Sequence, residues 1–273
     1  MSRHAESGDG DAMRALLEPL RGDPTHAAIL SDVDGTLAPI VERPEQAAVP
    51  ARATELLRAL SGRFARVGCI SGRRALEARR LVGLPEIAYA GNHGLELLLP
   101  GEEKPGLDPA LAGQEHSAAE FVARFDAKEL ADVGLRLEDK GPIQTLHWRG
   151  SVDERSAAAR ANEIAADAGR AGLEPRWGRK VLELRPIGGG GKDSAVAALL
   201  ADENIATAIY AGDDRTDLDA CRRLRELREE GRLATAVCVG ILSPEAPPEL
   251  AEEADLIVDG PEGWLDLLAQ LAE

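Results

Sequence analysis

The stretch His26 to Ile40 reads HAAILSDVDGTLAPI, and the rest of the chain is best understood from it. A short apolar run, Ala27 to Leu30, leads into Ser31-Asp32-Val33-Asp34-Gly35-Thr36. The run fits a buried strand, and the glycine fits the turn that follows. Asp32 and Asp34 are two apart, so in extended backbone their side chains share a face. Two carboxylates held close at a strand end repel each other. A divalent cation between them relieves the repulsion, as does a proton kept on one of them. A carboxylate can also attack phosphorus and carry the phosphoryl group as an aspartyl-phosphate. Taken alone, the same letters also fit a strand that ends in an acidic turn.

Asp32-Val33-Asp34-Gly35-Thr36 resembles the first motif of the haloacid-dehalogenase-like phosphatases. With the segments below, the chain resembles the trehalose-6-phosphate phosphatases in particular, from about His26 to the C-terminus. The fold expected is α/β: a doubly wound parallel sheet (a Rossmann-like core) with an inserted α+β cap domain. The resemblance implies a Mg²⁺-dependent phosphomonoesterase that releases phosphate from trehalose 6-phosphate. In that reading Asp32 is the nucleophile and Asp34 the acid and base. Asp32, Asp34 and Asp213 hold the Mg²⁺, and Asp32, Val33, Asp34 and Gly35 line the substrate site.

Pro50 to Leu60 reads as a helix and Ala65 to Ile70 as a strand, closed by Ser71-Gly72-Arg73. Strand, helix, strand of these lengths is a right-handed crossover in a parallel sheet. Ser71 then falls at the same carboxyl edge as Asp32, where open α/β sheets place their sites. Its hydroxyl can donate to a phosphate oxygen, although a serine there also suits a helix N-cap. The SGR triplet resembles the family's second motif, which makes Ser71 catalytic and Arg73, or its neighbour Arg74, a contact for phosphate or sugar. Ile87 to Ala90 is a third strand. The Gly91-Asn92-His93-Gly94 after it resembles a signature of the same phosphatases, with His93 at the edge of the substrate site.

Pro100 to Gly106 is rich in Gly, Pro and charge, as a hinge is. Beyond it a helical stretch, Leu111 to Leu130, is followed by two hairpins with the helix Val152 to Ala171 between them. The domains expected are therefore 1–25, a tail with a short helix; 26–105 with 187–273, the core; and 106–186, the cap. Inside the cap, LEDKG (residues 137–141), LHWR (146–149) and KVLE (180–183) resemble the family's cap segments. They put Glu138, Lys140, Arg149, Lys180 and Glu183 on the sugar, since paired charged groups bind many hydroxyls through charge-assisted hydrogen bonds. A solvated hairpin with exposed ion pairs has the same composition.

The run Gly188-Gly189-Gly190-Gly191-Lys192-Asp193 is no P-loop, because Pro186 and Asp193 stand where that pattern needs Gly and Ser or Thr. Lys192 opens a helix, so its ammonium and the helix N-terminus both offer positive potential. It resembles the third motif, whose Lys balances phosphoryl charge. Asp193 departs from the glycine the family has there. After a strand, Thr207 to Ala211, Gly212-Asp213-Asp214-Arg215-Thr216-Asp217 resembles the fourth motif. Asp213 is the expected ligand, while Asp214 and Asp217 act through water or through a neighbouring ligand. Leu218 stands where the family often has Glu. The chain ends with strands at Thr235 to Leu242 and Leu256 to Val258, a loop from Ser243 to Pro248, and a helix from Trp264 to Leu271.

Composition narrows the alternatives. The 273 residues are 44% apolar, enough for a buried core, and the formal net charge is -16, from 48 acidic against 32 basic residues. That charge disfavours nucleic acid and anionic membrane as partners, and it obliges a phosphate site to build its own cationic pocket. Cys69, Cys221 and Cys238 form no CxxC and are expected as separate buried thiols. No apolar run is long enough to span a bilayer, and the expected location is the cytoplasm. The resemblance adds functional coupling to a trehalose-phosphate synthase. Rival readings are a phosphatase for sucrose 6-phosphate or mannosyl-3-phosphoglycerate, a receiver-like domain, and a catalytically silent sensor.

Overall fold

Ile29 packs on one side of its strand, β1 (Ala27–Ser31), while Ala28 and Leu30 pack on the other, and all three are fully buried. Apolar burial on both faces is what a central strand of a helix-covered parallel sheet requires. The computed structural model describes residues 6–41, 44–178, 180–202, 204–243 and 246–273. The chain divides into two compact units, Met1–Gly106 with Gly190–Glu273, and Leu107–Gly189.

The first unit begins with α1 (Glu6–Gly22) and β1. It continues through α2 (Ala51–Ser61), β2 (Arg66–Ile70), α3 (Ala75–Val82), β3 (Ala88–Gly91), β4 (Glu96–Leu98) and the two-residue β5 (Gly106–Leu107). The second unit holds α4 (Ser117–Val122), α5 (Ala127–Asp132), β6 (Arg136–Asp139), β7 (Gln144–His147), α6 (Glu154–Arg170), β8 (Leu173–Gly178) and β9 (Val181–Pro186). The chain then returns with α7 (Lys192–Leu199), β10 (Thr207–Gly212), α8 (Arg215–Glu229), β11 (Thr235–Leu242), α9 (Pro248–Glu253), β12 (Leu256–Asp259) and α10 (Gly260–Ala272).

The sheet of the first unit runs β12-β11-β10-β1-β2-β3-β4-β5. Pairings from β12 to β3 are parallel, and β4 turns back antiparallel to β3. Side chains alternate between two cores. Ile29, Tyr89 and Val237 pack with Leu57, Leu60, Trp264 and Leu268, while Leu30, Ala88 and Tyr210 pack with Val196, Leu199, Cys221 and Leu224. Helices therefore cover both faces, the doubly wound arrangement. β1 is where the winding reverses, since the chain runs outward through β2 and β3 on one side and β10 and β11 on the other. The second unit is a four-stranded antiparallel sheet, β6-β7-β9-β8. Its α4 and α6 bury Leu146, Leu182 and Leu184 on one face.

Several local expectations change. Residues 1–5 of the expected tail lie outside the described residues, and from Glu6 onward the chain is helical. Pro19 sits inside α1 without ending it, and Leu17 and Leu20 around it are buried. The single helix expected over 111–130 is broken. Gly113 turns with φ +79°, and Asp126 starts a new helix by accepting the N–H groups of Lys128 and Glu129. In the expected loop 243–248, residues 244 and 245 lie outside the described residues, while Pro248 already opens α9. The three separate thiols are also corrected: Cys221 of α8 and Cys238 of β11 form a disulfide, and only Cys69 is free. Helix and strand meet side by side in the same core, which a separation of 17 residues does not reveal.

Candidate active site

The parallel register sets the site. Ser31 pairs with Ala211 of β10 and with Cys69 of β2, so Asp32, Asp213 and Ser71 leave neighbouring strands at the same edge. The Asp32 N–H donates to the Ala211 carbonyl at 2.8 Å, which extends the pairing to the aspartate itself. Behind it, the Trp264 indole N–H donates to Ser31 Oγ at 3.1 Å, and Ser31 Oγ donates to the Asp32 carbonyl at 2.7 Å. Trp264 and Ser31 thus hold the Asp32 backbone from the far side, a role the sequence does not signal.

Lys192 lies at the first turn of α7 with its side chain 2% exposed. Its Nζ donates to Asp32 at 2.9 Å and to Asp217 at 2.6 Å. Asp32, Asp213 and Asp217 are buried and offer carboxylate oxygens that all lie within 4.8 Å of one another. Burial, reinforced by Asp217 and Asp213, pushes the Asp32 carboxyl well above its usual range, against the pull of Lys192. Burial and Asp217 push Asp213 up to about 7. Burial also raises Asp217. Burial opposes the charge on Lys192, but Asp217 and Asp32 outweigh it and raise that ammonium well above its usual range.

The fourth-motif carboxylates take separate places. Asp214 caps α8, accepting the N–H groups of Thr216 and Asp217. Burial works against its charge, yet Lys192 and the Thr216 hydroxyl outweigh that and hold it at about 2. Asp217 is fully buried and accepts from Lys192, from the Tyr210 hydroxyl and from the backbone N–H groups of Asp213 and Asp214. Asp213 also receives the Thr36 hydroxyl at 3.2 Å. Tyr210 and Thr36 are further site residues that sequence reading misses. Tyr210 could have been found by period-2 spacing, since it sits two residues before the edge of β10.

Asp34 lies outside the carboxylate group. Both its oxygens are bonded to Arg73, from Nε and from Nη2, each at 2.7 Å. Gly35 turns with φ +91°, and a Cβ there would lie 2.2 Å from the Asp213 carboxylate, so only glycine fits. Its N–H donates to Ala38 within the turn. The Val33 side chain is in the core, and its carbonyl accepts from Leu37 and Ala38. Ser71 is buried, with Oγ accepting the Arg73 N–H at 3.1 Å. His93 turns with φ +57°, and its ring lies so close to Gly72 that a Cβ there would come within 2.8 Å. Asp193 is exposed in the first turn of α7, and Leu218 is buried in α8.

The cap-segment residues sit in the second unit. Lys140 pairs with Glu183 at 3.6 Å, and Arg185 donates to the same carboxylate at 2.5 Å and 3.1 Å. Glu138 meets His147 at 2.6 Å. Lys180 pairs with Glu154 at 2.7 Å, and Arg149 lies exposed on the turn after β7.

The carboxylate donor set is all oxygen, which suits a hard divalent cation. Three buried acids against one ammonium also leave negative charge for such an ion to neutralise.

The trehalose-phosphatase family model matches residues 30–243. The chain is 31% identical over 278 residues to trehalose 6-phosphate phosphatase RA3 of Zea mays, covering 93% of this chain and 74% of that one. It is 32% identical over 248 residues to the trehalose-phosphate phosphatase of Mycobacterium avium (strain 104), covering 83% and 61%. Against four plant relatives of this kind, the chain spans between 56% and 74% of their length. Among solved structures, a trehalose-6-phosphate phosphatase related protein superposes with TM-score 0.68 at 25% identity, over 90% of this chain and 96% of that one. The C-terminal domain of the C. albicans trehalose-6-phosphate phosphatase does so with TM-score 0.70 at 20% identity, over 95% and 96%, and shares the fold. With the first-motif aspartate, the buried lysine and the fourth-motif acids at one sheet edge, the match leaves no other assignment: the chain belongs to the trehalose-phosphatase family.

Proposed function

We propose that this protein is a Mg²⁺-dependent phosphatase that hydrolyses trehalose 6-phosphate to trehalose and phosphate. The observation that carries the reading is the Lys192 ammonium joining Asp32 to Asp217 inside a buried, cation-fitting carboxylate group. Asp32 and Asp213 would hold the Mg²⁺. The Asp34 side chain accepts one bond from Arg73 on each oxygen, which leaves a lone pair on each oxygen for a proton. The ion, when bound, supplies positive charge against the phosphoryl oxygens.

Lys192 bonds one oxygen of Asp32 and favours its charged form against the effect of burial, leaving the other oxygen to attack phosphorus in line. As that bond forms, the bond to the sugar oxygen breaks. Asp34 gives its proton to the leaving oxygen and then takes one from the water that attacks phosphorus. Phosphate leaves and Asp32 is restored. Ser71 would donate its hydroxyl to a phosphoryl oxygen, with His93 at the edge of the site. We assign sugar recognition to the second unit, through Glu138, Lys140, Arg149, Lys180 and Glu183. A trehalose-phosphate synthase would supply the substrate.

Phosphate release from trehalose 6-phosphate, sucrose 6-phosphate and mannosyl-3-phosphoglycerate, with and without Mg²⁺, tests the reading. Trehalose 6-phosphate should be turned over fastest, only with the cation, and not by Asp32→Asn. Steady turnover by that variant would remove the nucleophile, and preference for another sugar phosphate would remove the substrate.

A further inference from the structure

Sheet pairing in the second unit separates two sets of side chains. Leu146, Leu182 and Leu184 point to the face that α4 and α6 cover. Strand alternation therefore sends Thr145, Glu183 and Arg185 to the opposite face. Thr145 pairs directly across from Glu183, and Arg185 lies two positions along β9 from Glu183. Cross-strand neighbours and their diagonals on one face are within reach of long side chains.

Thr145 is 0% exposed and Arg185 4% exposed. Arg185 commits Nε and Nη2 to Glu183, but its Nη1 has no hydrogen-bond partner, and neither has Thr145 Oγ1. Buried polar atoms are nearly always satisfied, and leaving a guanidinium N–H or a hydroxyl unmade is costly. Two such atoms beside a carboxylate held by two cations form a set of one donor, one donor-acceptor and one acceptor. A phosphate or carboxylate ligand would meet the Glu183 charge. An apolar ligand would leave both atoms unsatisfied. Neighbouring hydroxyls of a neutral sugar both donate and accept, and they satisfy the set.

We propose that Arg185 and Thr145 are sugar-specificity residues: Arg185 Nη1 and Thr145 Oγ1 bind adjacent hydroxyls of the non-reacting sugar portion, with the Glu183 carboxylate, oriented by Arg185 and Lys140, as their partner acceptor. This rests on the sugar-phosphatase reading above and adds two residues to it. Arg185 thus acts twice, as a direct contact and as the group that orients Glu183.

The test compares kcat/KM for trehalose 6-phosphate with that for p-nitrophenyl phosphate, in the wild type, Arg185→Gln and the near-isosteric Thr145→Val. It also measures inhibition of p-nitrophenyl phosphate hydrolysis by trehalose. One charge-assisted hydrogen bond corresponds to about tenfold to a hundredfold in affinity, so the sugar-to-aryl ratio should fall by about that factor in Arg185→Gln. It should fall by about three- to tenfold in Thr145→Val, mainly through KM, with weaker trehalose inhibition in both. Thr145→Val changes no volume or charge, so it reports even if Arg185→Gln folds poorly. A wild type that discriminates, with both variants discriminating equally, overturns this inference alone. A wild type that treats sugar and aryl phosphates alike overturns the sugar-phosphatase reading and this inference with it.

Discussion

Arg73 grips Asp34 through both carboxylate oxygens, from Nε and Nη2 at 2.7 Å each, although the two residues leave different strands. A planar fork on a carboxylate fixes its orientation as well as its charge. If Asp34 is the group that protonates the leaving oxygen, Arg73 sets where that proton is delivered. Arg73→Ala should lower kcat for trehalose 6-phosphate by about ten- to a hundredfold. For p-nitrophenyl phosphate, whose leaving group needs no proton, the loss should be much smaller. Equal losses on both substrates would show that Arg73 acts on the phosphate instead.

The buried acids make cation binding depend on pH. Asp213 titrates at about 7 in the metal-free protein, raised by burial and Asp217, and Asp32 and Asp217 are raised as well. A carboxyl raised on folding binds protons that the unfolded chain does not. Its stabilising contribution is whole below about pH 4 and is lost as pH rises towards 7. A cation that replaces those protons should restore stability above that window. Mg²⁺ should therefore raise the melting temperature more at pH 8 than at pH 5.5, by thermal denaturation at matched ionic strength. A shift that is larger at the lower pH would contradict the carboxylate assignment.

At Gly35 geometry predicts a large penalty from one methyl group. The residue has φ +91°, and a Cβ would lie 2.2 Å from the Asp213 carboxylate. Gly35→Ala should cost about 3 kcal/mol or more in urea denaturation. It should also weaken Mg²⁺ binding at least about tenfold, because Asp213 must move. Wild-type stability with wild-type Mg²⁺ affinity would show that the turn can relax.

The Cys221–Cys238 bridge closes a separation of 17 residues. A loop of that size corresponds to about 3 kcal/mol of constraint on the unfolded chain. The Cys221→Ala/Cys238→Ala double variant should lose stability of that order. Denatured wild-type protein should titrate one thiol, Cys69, without reductant and three with it. Three thiols without reductant would show that the bridge does not form in the protein as made.

Local patterns made much of the core legible. Ala27 to Leu30 and Thr207 to Ala211 are too short and too apolar to be anything but buried strands, and the Ser71 turn follows its strand directly. Parallel neighbours then put Asp32, Ser71 and Asp213 on one edge without any side-chain information. What stayed hidden depends on depth and on contacts across the chain. Asp213, Asp214 and Asp217 look alike as letters, yet one caps a helix, one is sealed under Lys192 and Tyr210, and one leans on Gly35. Nothing in the DVDGT stretch shows that Asp34 is taken by an arginine 39 residues away. The disulfide was hidden for the same reason, as was the break between α4 and α5, where Asp126 competes for the backbone in a stretch that composition reads as continuous helix.

The placement of β1 has a consequence for synthesis. It pairs with β2 early in the chain's emergence, from Ala28 opposite Arg66, but the other edge waits for β10, where Thr207 lies opposite Ala27. A nascent chain halted before that point carries an open, fully apolar strand edge, the kind that recruits other chains. A fragment ending with the second unit should therefore precipitate rather than persist as a folded half, and the strand that leads into Asp32 becomes safe only once β10 has been made.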